Sequence, residues 1–285
     1  MDGPGLVAEA LSWPRIPDKF GNLWQYHSRS DRHSKVACWA ILFDLLQESP
    51  TLRRHVDEGK VGFGVNHEMS DFHTRRKKNL DLVICRPGTP GPARSRGPRS
   101  FTGLAADFGV RLTADQQLRM EALPPFTEAP VGSVLVALEA KACMTEHGKA
   151  RPRLYDELSS SHLTVHGAND AAIAAAFVMV NAGRTFRSPD RNKFDLTVQD
   201  AIVNAHVQPS ATLRVLQKVN ELRVRTRPGQ EGFDAIGVVV VDCPNDGSPV
   251  TVLTTSPALP ASDDLHYDQM IRRVAHLYDT QYASI

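Results

Sequence analysis

A chain of 285 residues carrying 33 Lys and Arg against 32 Asp and Glu, a formal charge of +1, is long enough for an ample core, and its net charge argues neither for nor against a polyanionic partner. Four cysteines, Cys38, Cys85, Cys143 and Cys243, stand far apart in or beside apolar segments and in no CxxC pair, which excludes a disulfide framework and a zinc ribbon and reads as reduced core residues of a cytoplasmic protein. The first residues lack a basic start and an apolar leader, and no apolar run reaches the roughly 18 to 20 residues of a membrane span, so neither secretion nor a membrane is expected.

Residues 31–47 read as a helix, with Ser30 or Asp31 as N-cap and Pro50 just past its end. A strand is expected over 61–68. Another follows over 79–85, an apolar run with Asp81 near its start, a basic run before it and Pro87 and Gly88 after it. Residues 87–130 form a long insertion, Pro- and Gly-rich at first, with a short helix expected over 113–122; a connection of this length is usually functional or disordered. Next come a strand over 134–143, a helix over 152–163 and an apolar strand over 172–181. The C-terminal third is expected to hold a mostly helical stretch over 196–223, strands over 233–241 and 250–254, and a helix over 266–278 with Met270, Ile271, Val274 and Leu277 on one side. That stripe reads as core, and these elements extend and cover the sheet; part of the region is a candidate homodimer face. Arg214, Lys218, Arg223, Arg225 and Arg227 read as a solvated helix face. The whole reads as one domain over 1–285, with the insertion at about 87–130 and a C-terminal elaboration at about 183–285.

Chemistry concentrates in the strand over 134–143, which sets Glu139 and Lys141 inside a run apolar on both faces. Residues two apart in a strand share a face, roughly 6.6 Å apart at about 3.3 Å per residue. Burying either charge uncompensated costs several kcal/mol, so the two must be satisfied by each other, by a metal or by solvent in a cleft. Asp81 stands in similar surroundings. If its strand neighbours that of Glu139, the two carboxylates converge on one divalent cation, with the Ala140 backbone carbonyl as a further ligand. Magnesium suits such a site, with manganese as a substitute, because it takes few protein carboxylates and keeps several waters. Lys141 then lies beside the metal, placed to orient or help deprotonate a water and to stabilise charge on a phosphate.

These residues resemble the PD-(D/E)xK nuclease superfamily, which has the restriction-endonuclease-like fold. Asp81 matches the Asp of that motif, Glu139 its second acid and Lys141 its Lys, with Leu80 where the motif has Pro. The order helix, three strands, helix, strand over residues 31–182 is similar to the core of that fold. The resemblance implies an α/β core, a central mixed β-sheet flanked by helices on both faces, and a magnesium-dependent endonuclease on DNA, most simply a restriction-type enzyme on double-stranded DNA. Another nuclease of the superfamily (junction resolvase, transposon-end, repair or RNA nuclease) and a non-cleaving DNA-binding module on the same fold stand as alternatives. A second acid-x-Lys, Glu58-Gly59-Lys60, reads as a polar turn.

Residues 72–100 carry eight cations, Arg75, Arg76, Lys77, Lys78, Arg86, Arg94, Arg96 and Arg99, against the single acid Asp81. Arg75 to Lys78 run directly into the Asp81 strand and are expected to meet DNA phosphates. Glu68 and Glu48, at the ends of the first strand and first helix, are candidates for a third acid at the metal. His162 and His166 have the spacing of metal ligands on a helix, but with no third ligand they read as structural or surface groups. Asp156 and Glu157 read as first-turn acids that favour the helix dipole.

Overall fold

The computed structural model describes residues 1–71, 74–89 and 97–285. An N-terminal helix, α1 (Gly3–Leu11), and a small strand pair, β1 (Ile16–Pro17) with β2 (Leu23–Trp24), precede the long helix α2 (Arg32–Glu48). The chain continues through α3 (Pro50–Asp57), the hairpin of β3 (Gly62–Ser70) and β4 (Lys77–Pro87), and the short helices α4 (Phe101–Phe108) and α5 (Ala114–Glu121). Then come β5 (Val131–Cys143), α6 (His147–Ala168) and β6 (Ile173–Asn181). A second small pair, β7 (Thr185–Arg187) with β8 (Val203–Ala205), leads to α7 (Ser210–Asn220), β9 (Ala235–Asp242), β10 (Thr251–Val252) and α8 (Tyr267–Gln281).

Six strands form one mixed sheet in the order β10-β9-β6-β5-β4-β3. β3, β4 and β5 pair antiparallel, β5, β6 and β9 parallel, and β10 closes the far edge antiparallel. All nine residues of β6 are buried, as expected of a strand covered on both faces. Strand alternation divides the core into two layers. Leu138 and Ala140 pack with Trp39 and Phe43 of α2 and with Met270 and Ile271 of α8. Ala137 and Cys143 pack on the opposite side with Leu154, Leu158 and Val165 of α6 and Val215 and Val219 of α7. The fold is therefore α/β, with helices on both faces of a central mixed sheet. Each fully buried Leu, Val or Phe in these layers contributes about 1.5–3 kcal/mol. Gly237 lets α8 settle on β9, since a Cβ there would lie 2.7 Å from the Met270 sulfur.

Short elements owe their existence to caps. Ser49 accepts the Leu52 N–H ahead of Pro50, so Pro50 opens α3 rather than merely following α2. Thr113 and Gln116 form a capping box that starts α5, the short helix expected in the insertion. Asp44, an acid inside the apolar α2, is buried because it accepts the Asp2 and Gly3 N–H groups and the Tyr267 hydroxyl, tying α1 and α8 to α2.

Two expectations are revised. α6 begins at His147 rather than at 152, because Pro152 falls in its second turn, where it removes a single bond near the helix start. The stretch over 196–223 is helical only as α7. Before it, Asn192 exchanges side-chain hydrogen bonds with the backbone of Ile202, and Phe186 pairs with Asn204 in the β7–β8 ladder, so the chain there is a turn over 196–199 followed by the short strand β8 rather than a helix. Cys38, Cys85, Cys143 and Cys243 are all buried free thiols. Among the described residues no helix is long and apolar enough to cross a membrane.

Candidate active site

β4 and β5 pair, through register shifts at Ile84/Cys85 and Arg86/Pro87, as far as Leu82 opposite Leu138. Beyond that pair a side chain replaces the ladder: Asp81 Oδ2 accepts the Ala140 backbone N–H at 2.9 Å. The neighbouring ladder breaks at the same level. Asn66 of β3, with φ +52°, sits between the pairs Val65–Leu82 and His67–Leu80. β4 is kinked there, and Leu80 and Leu82 fall in opposite apolar layers although a straight strand would put them on one face. Asp81 occupies the kink. A cleft of about 570 Å³ opens at this point, walled by Asp81 and Ala140 to Met144, by His33 and Ser34 at the start of α2, by Lys149, Arg153 and Glu157 of α6, and by Ser188, Asp190 and Arg191.

Glu139 and Lys141 project on the α6 side of β5 and meet, with Lys141 Nζ 2.8 Å from Glu139 Oε1. Lys78 of β4 approaches the same oxygen at 3.8 Å. On its other side Lys141 lies 3.4 Å from Glu157 Oε2, and Glu157 Oε1 in turn accepts from Arg153 Nε at 2.6 Å. Five charges thus alternate in sign from the cleft-lining Arg153 of α6 to Lys78 of β4. Glu139 is only 2% exposed, and its Oε2 has no hydrogen-bond partner.

Burial pushes the Asp81 carboxyl above the usual range, against the Ala140 N–H and Lys141, which pull it down. Burial also raises Glu139; Lys141 opposes this and the nearby Asp81 charge adds to it. For Lys141 burial acts downward, but Glu139 and Asp81 outweigh it and hold the amine above the ordinary lysine range. Lys141 therefore stands as an ammonium, a donor rather than a base. Burial would raise Glu157, yet Arg153 and Lys141 bring it below the usual range, so it faces the cleft as a carboxylate. His33 is held neutral, its pKa lowered to about 4 by burial and by the Lys141 charge.

Among the described residues no group of three or more His, Cys, Asp and Glu side chains is placed to hold a metal. The donors present still fit a hard divalent ion, because magnesium is commonly held by one or two carboxylates and keeps several waters. Glu139 Oε2 is a buried oxygen lacking a donor, and leaving such an atom unpaired costs about 1–3 kcal/mol or more when charged.

Asp81, Glu139, Ala140 and Lys141 are brought together; several other sequence candidates are not. Glu68 is paired with Lys77 at 2.8 Å on the exposed part of the hairpin, and Glu48 is exposed at the C-terminal end of α2; neither lines the cleft. Of the expected phosphate contacts, Arg75 and Arg76 are exposed at the hairpin turn, whereas Lys77 is engaged by Glu68 and Lys78 turns inward to Glu139. Arg94 and Arg96 lie outside the described residues. His162 is buried against Phe233, and His166 bonds the Gly232 carbonyl, so both are structural. Arg225 is no solvated helix residue: it is buried beyond α7 and paired with Asp234 and Asp170. Glu58 and Lys60 pair with each other in an exposed turn.

Arg153 and His33 are cleft residues that the sequence does not single out, and Glu157 is a cleft residue to which it gives another role. Glu157 is the eleventh residue of α6, not a first-turn acid, so the helix dipole does not explain it. Its one signal is helical spacing from Arg153, which places the pair on one face. Comparison with known proteins finds no matching family model, no matching curated protein and no matching solved structure.

Proposed function

We propose that this protein is a metal-dependent endonuclease hydrolysing DNA phosphodiester bonds, a restriction-type enzyme acting on double-stranded DNA from a restriction-endonuclease-like core. One observation carries this reading: where β4 and β5 part, Asp81 and Glu139 stand on neighbouring strands beside the Lys141 ammonium, with Glu139 Oε2 buried and unpartnered. An acid pair with an adjacent lysine, Asp81 and Lys141 lining the cleft and Glu139 buried against Lys141, has the donor set for hydrolysis at phosphorus.

Asp81, Glu139 and the Ala140 carbonyl would hold Mg2+, which when bound acidifies water and neutralises charge on the phosphate. The chain's own residues supply positioning and charge. Lys141 donates to the attacking water or to a phosphoryl oxygen, and Glu157 restrains it on the cleft side. The water oxygen bonds to phosphorus and gives up its proton to solvent, the ester bond breaks with its electron pair going to the leaving oxygen, and that oxygen takes a proton from solvent. Arg29, Lys149, Arg153 and Arg191 line the cleft, and such cations neutralise phosphates on either side of the scissile bond. A symmetric pair of chains would set two such sites on opposite strands.

The test is incubation of purified protein with mixed-sequence plasmid and phage DNA, modified and unmodified, with magnesium, manganese or chelator, beside Lys141→Ala. Discrete fragments that need both metal and Lys141 are expected. The reading is overturned if duplex, branched and single-stranded DNA and RNA all survive with either metal.

A further inference from the structure

Two lysines meet one carboxylate oxygen. Lys141 Nζ lies 2.8 Å and Lys78 Nζ 3.8 Å from Glu139 Oε1, although one ammonium compensates one carboxylate. Their surroundings differ. Lys141 lines the cleft, where it can turn toward a substrate. Lys78 comes from the adjacent strand, does not line the cleft, and is anchored from behind by the Glu157 backbone carbonyl at 3.3 Å, with only 18% of its side chain exposed. At 3.8 Å from Oε1 it interacts by charge alone, beyond hydrogen-bond reach.

We propose that Lys78 is a positioning residue that remains as the counter-charge of Glu139 when Lys141 leaves Oε1 for the phosphate or the attacking water. This rests on the nuclease reading of the site. Without Lys78, each departure of Lys141 leaves the buried Glu139 carboxylate to the metal alone, whose charge Asp81 also draws on, so Lys141 is held back on Glu139 and withheld from the reaction. The Glu157 carbonyl keeps Lys78 in place without claiming its charge, while the Glu157 carboxylate, 3.4 Å from Lys141, marks the side toward which Lys141 turns. Lys78 also leaves Oε2 free, because both ammonium groups gather on Oε1.

The experiment compares the full-length protein with Lys78→Met and Lys78→Arg in DNA cleavage and, without DNA, in Mn2+ binding by calorimetry. Lys78→Met is expected to lower kcat on the order of tenfold to a hundredfold at unchanged KM, as a displaced catalytic group does. Its Mn2+ affinity should be equal to or tighter than wild type, because one positive charge has left, and Lys78→Arg should restore most of kcat. A merely structural lysine predicts the opposite pattern, with metal binding and kcat falling together; that result, or an unchanged kcat, overturns the proposal. Should Lys78→Met fail to fold, Lys78→Gln retains a donor for the Glu157 carbonyl without the charge and carries the same comparison. A urea double-mutant cycle between Lys78→Met, or Lys78→Gln in its place, and Glu139→Gln separates the two ideas. If wild type neither cleaves nor binds Mn2+, the nuclease reading fails; non-additive effects in the cycle then uphold Lys78 as counter-charge of Glu139, and additive ones overturn it.

Discussion

The Asp81 carboxylate takes the place of a strand carbonyl, accepting the Ala140 N–H at 2.9 Å where the β4–β5 ladder ends. One side chain therefore closes the sheet and faces the cleft. Its two roles separate under substitution. Asp81→Ala leaves the buried Ala140 N–H without an acceptor, at a cost of about 1–3 kcal/mol, and should abolish the proposed cleavage. Asp81→Asn keeps an accepting oxygen and sheds a carboxylate that burial disfavours, so its stability should equal or exceed wild type while cleavage is still lost. Urea unfolding and plasmid cleavage on both variants decide this; Asp81→Asn cutting at the wild-type rate would remove Asp81 from the chemistry.

Glu157 ties the exposed Arg153 to Lys141. Glu157→Gln takes a negative charge from the cleft and frees Arg153 for a phosphate, so DNA should bind more tightly and its affinity should fall more steeply with salt, by about 0.9 in log–log slope for one added contact. Cleavage should drop on the order of tenfold or more, because Lys141 loses its restraint on the cleft side. Filter binding across a salt series beside single-turnover rates reads both. An unchanged slope would mean that Arg153 does not meet the phosphate backbone.

The strands of the site were legible because burial leaves a plain signature: an acid and a lysine two apart in an apolar run cannot both be surface charges, and β5 does lie central in its sheet. The long helix α2 and the strand β6 follow from unbroken apolar runs in the same way. What the chain brings from elsewhere is harder to read. Pro152 looks like the first residue of a helix, which moves Glu157 toward the helix start and hides its place opposite Lys141. Lys78 is one of four consecutive cations, and its inward turn follows from the change of face between Leu80 and Leu82, which a plain strand alternation does not foretell. Likewise Arg225 looks like one more cation at helical spacing until the chain leaves α7 and a distant acid, Asp234, receives it.

That buried pair sets a stability prediction. Arg225 Nε lies 2.8 Å from Asp234 Oδ1, its other nitrogens bond Asp170 and the Ala172 carbonyl, and Asp234 Oδ2 accepts the Ala174 N–H. Arg225→Met should destabilise by about 3–5 kcal/mol, because it leaves Asp234 charged and buried. Adding Asp234→Asn should recover part of that loss, since an amide oxygen still serves Ala174 without the charge. Urea midpoints of the two singles and the double give the coupling; strict additivity would show that the pair contributes no more than its parts.

Acid should unfold this protein through its histidines as well as its carboxylates. Burial lowers His33 and His162 from 6.5 to about 4, and His55, His67, His147, His166 and His206 are also lowered, burial being the first cause in each. The unfolded chain then binds more protons than the folded one between about pH 6.5 and pH 4. The stability these neutral rings permit is present above the upper bound and is lost as pH falls through that window. His162 is the cleanest probe. Its Nδ1 has no partner and its ring packs on Phe233, so His162→Leu should hold or raise stability at neutral pH. The same change should flatten the decline by up to one proton across the window. Urea midpoints measured through it in both proteins test this, and an equally steep decline in His162→Leu would place the acid sensitivity in the other groups.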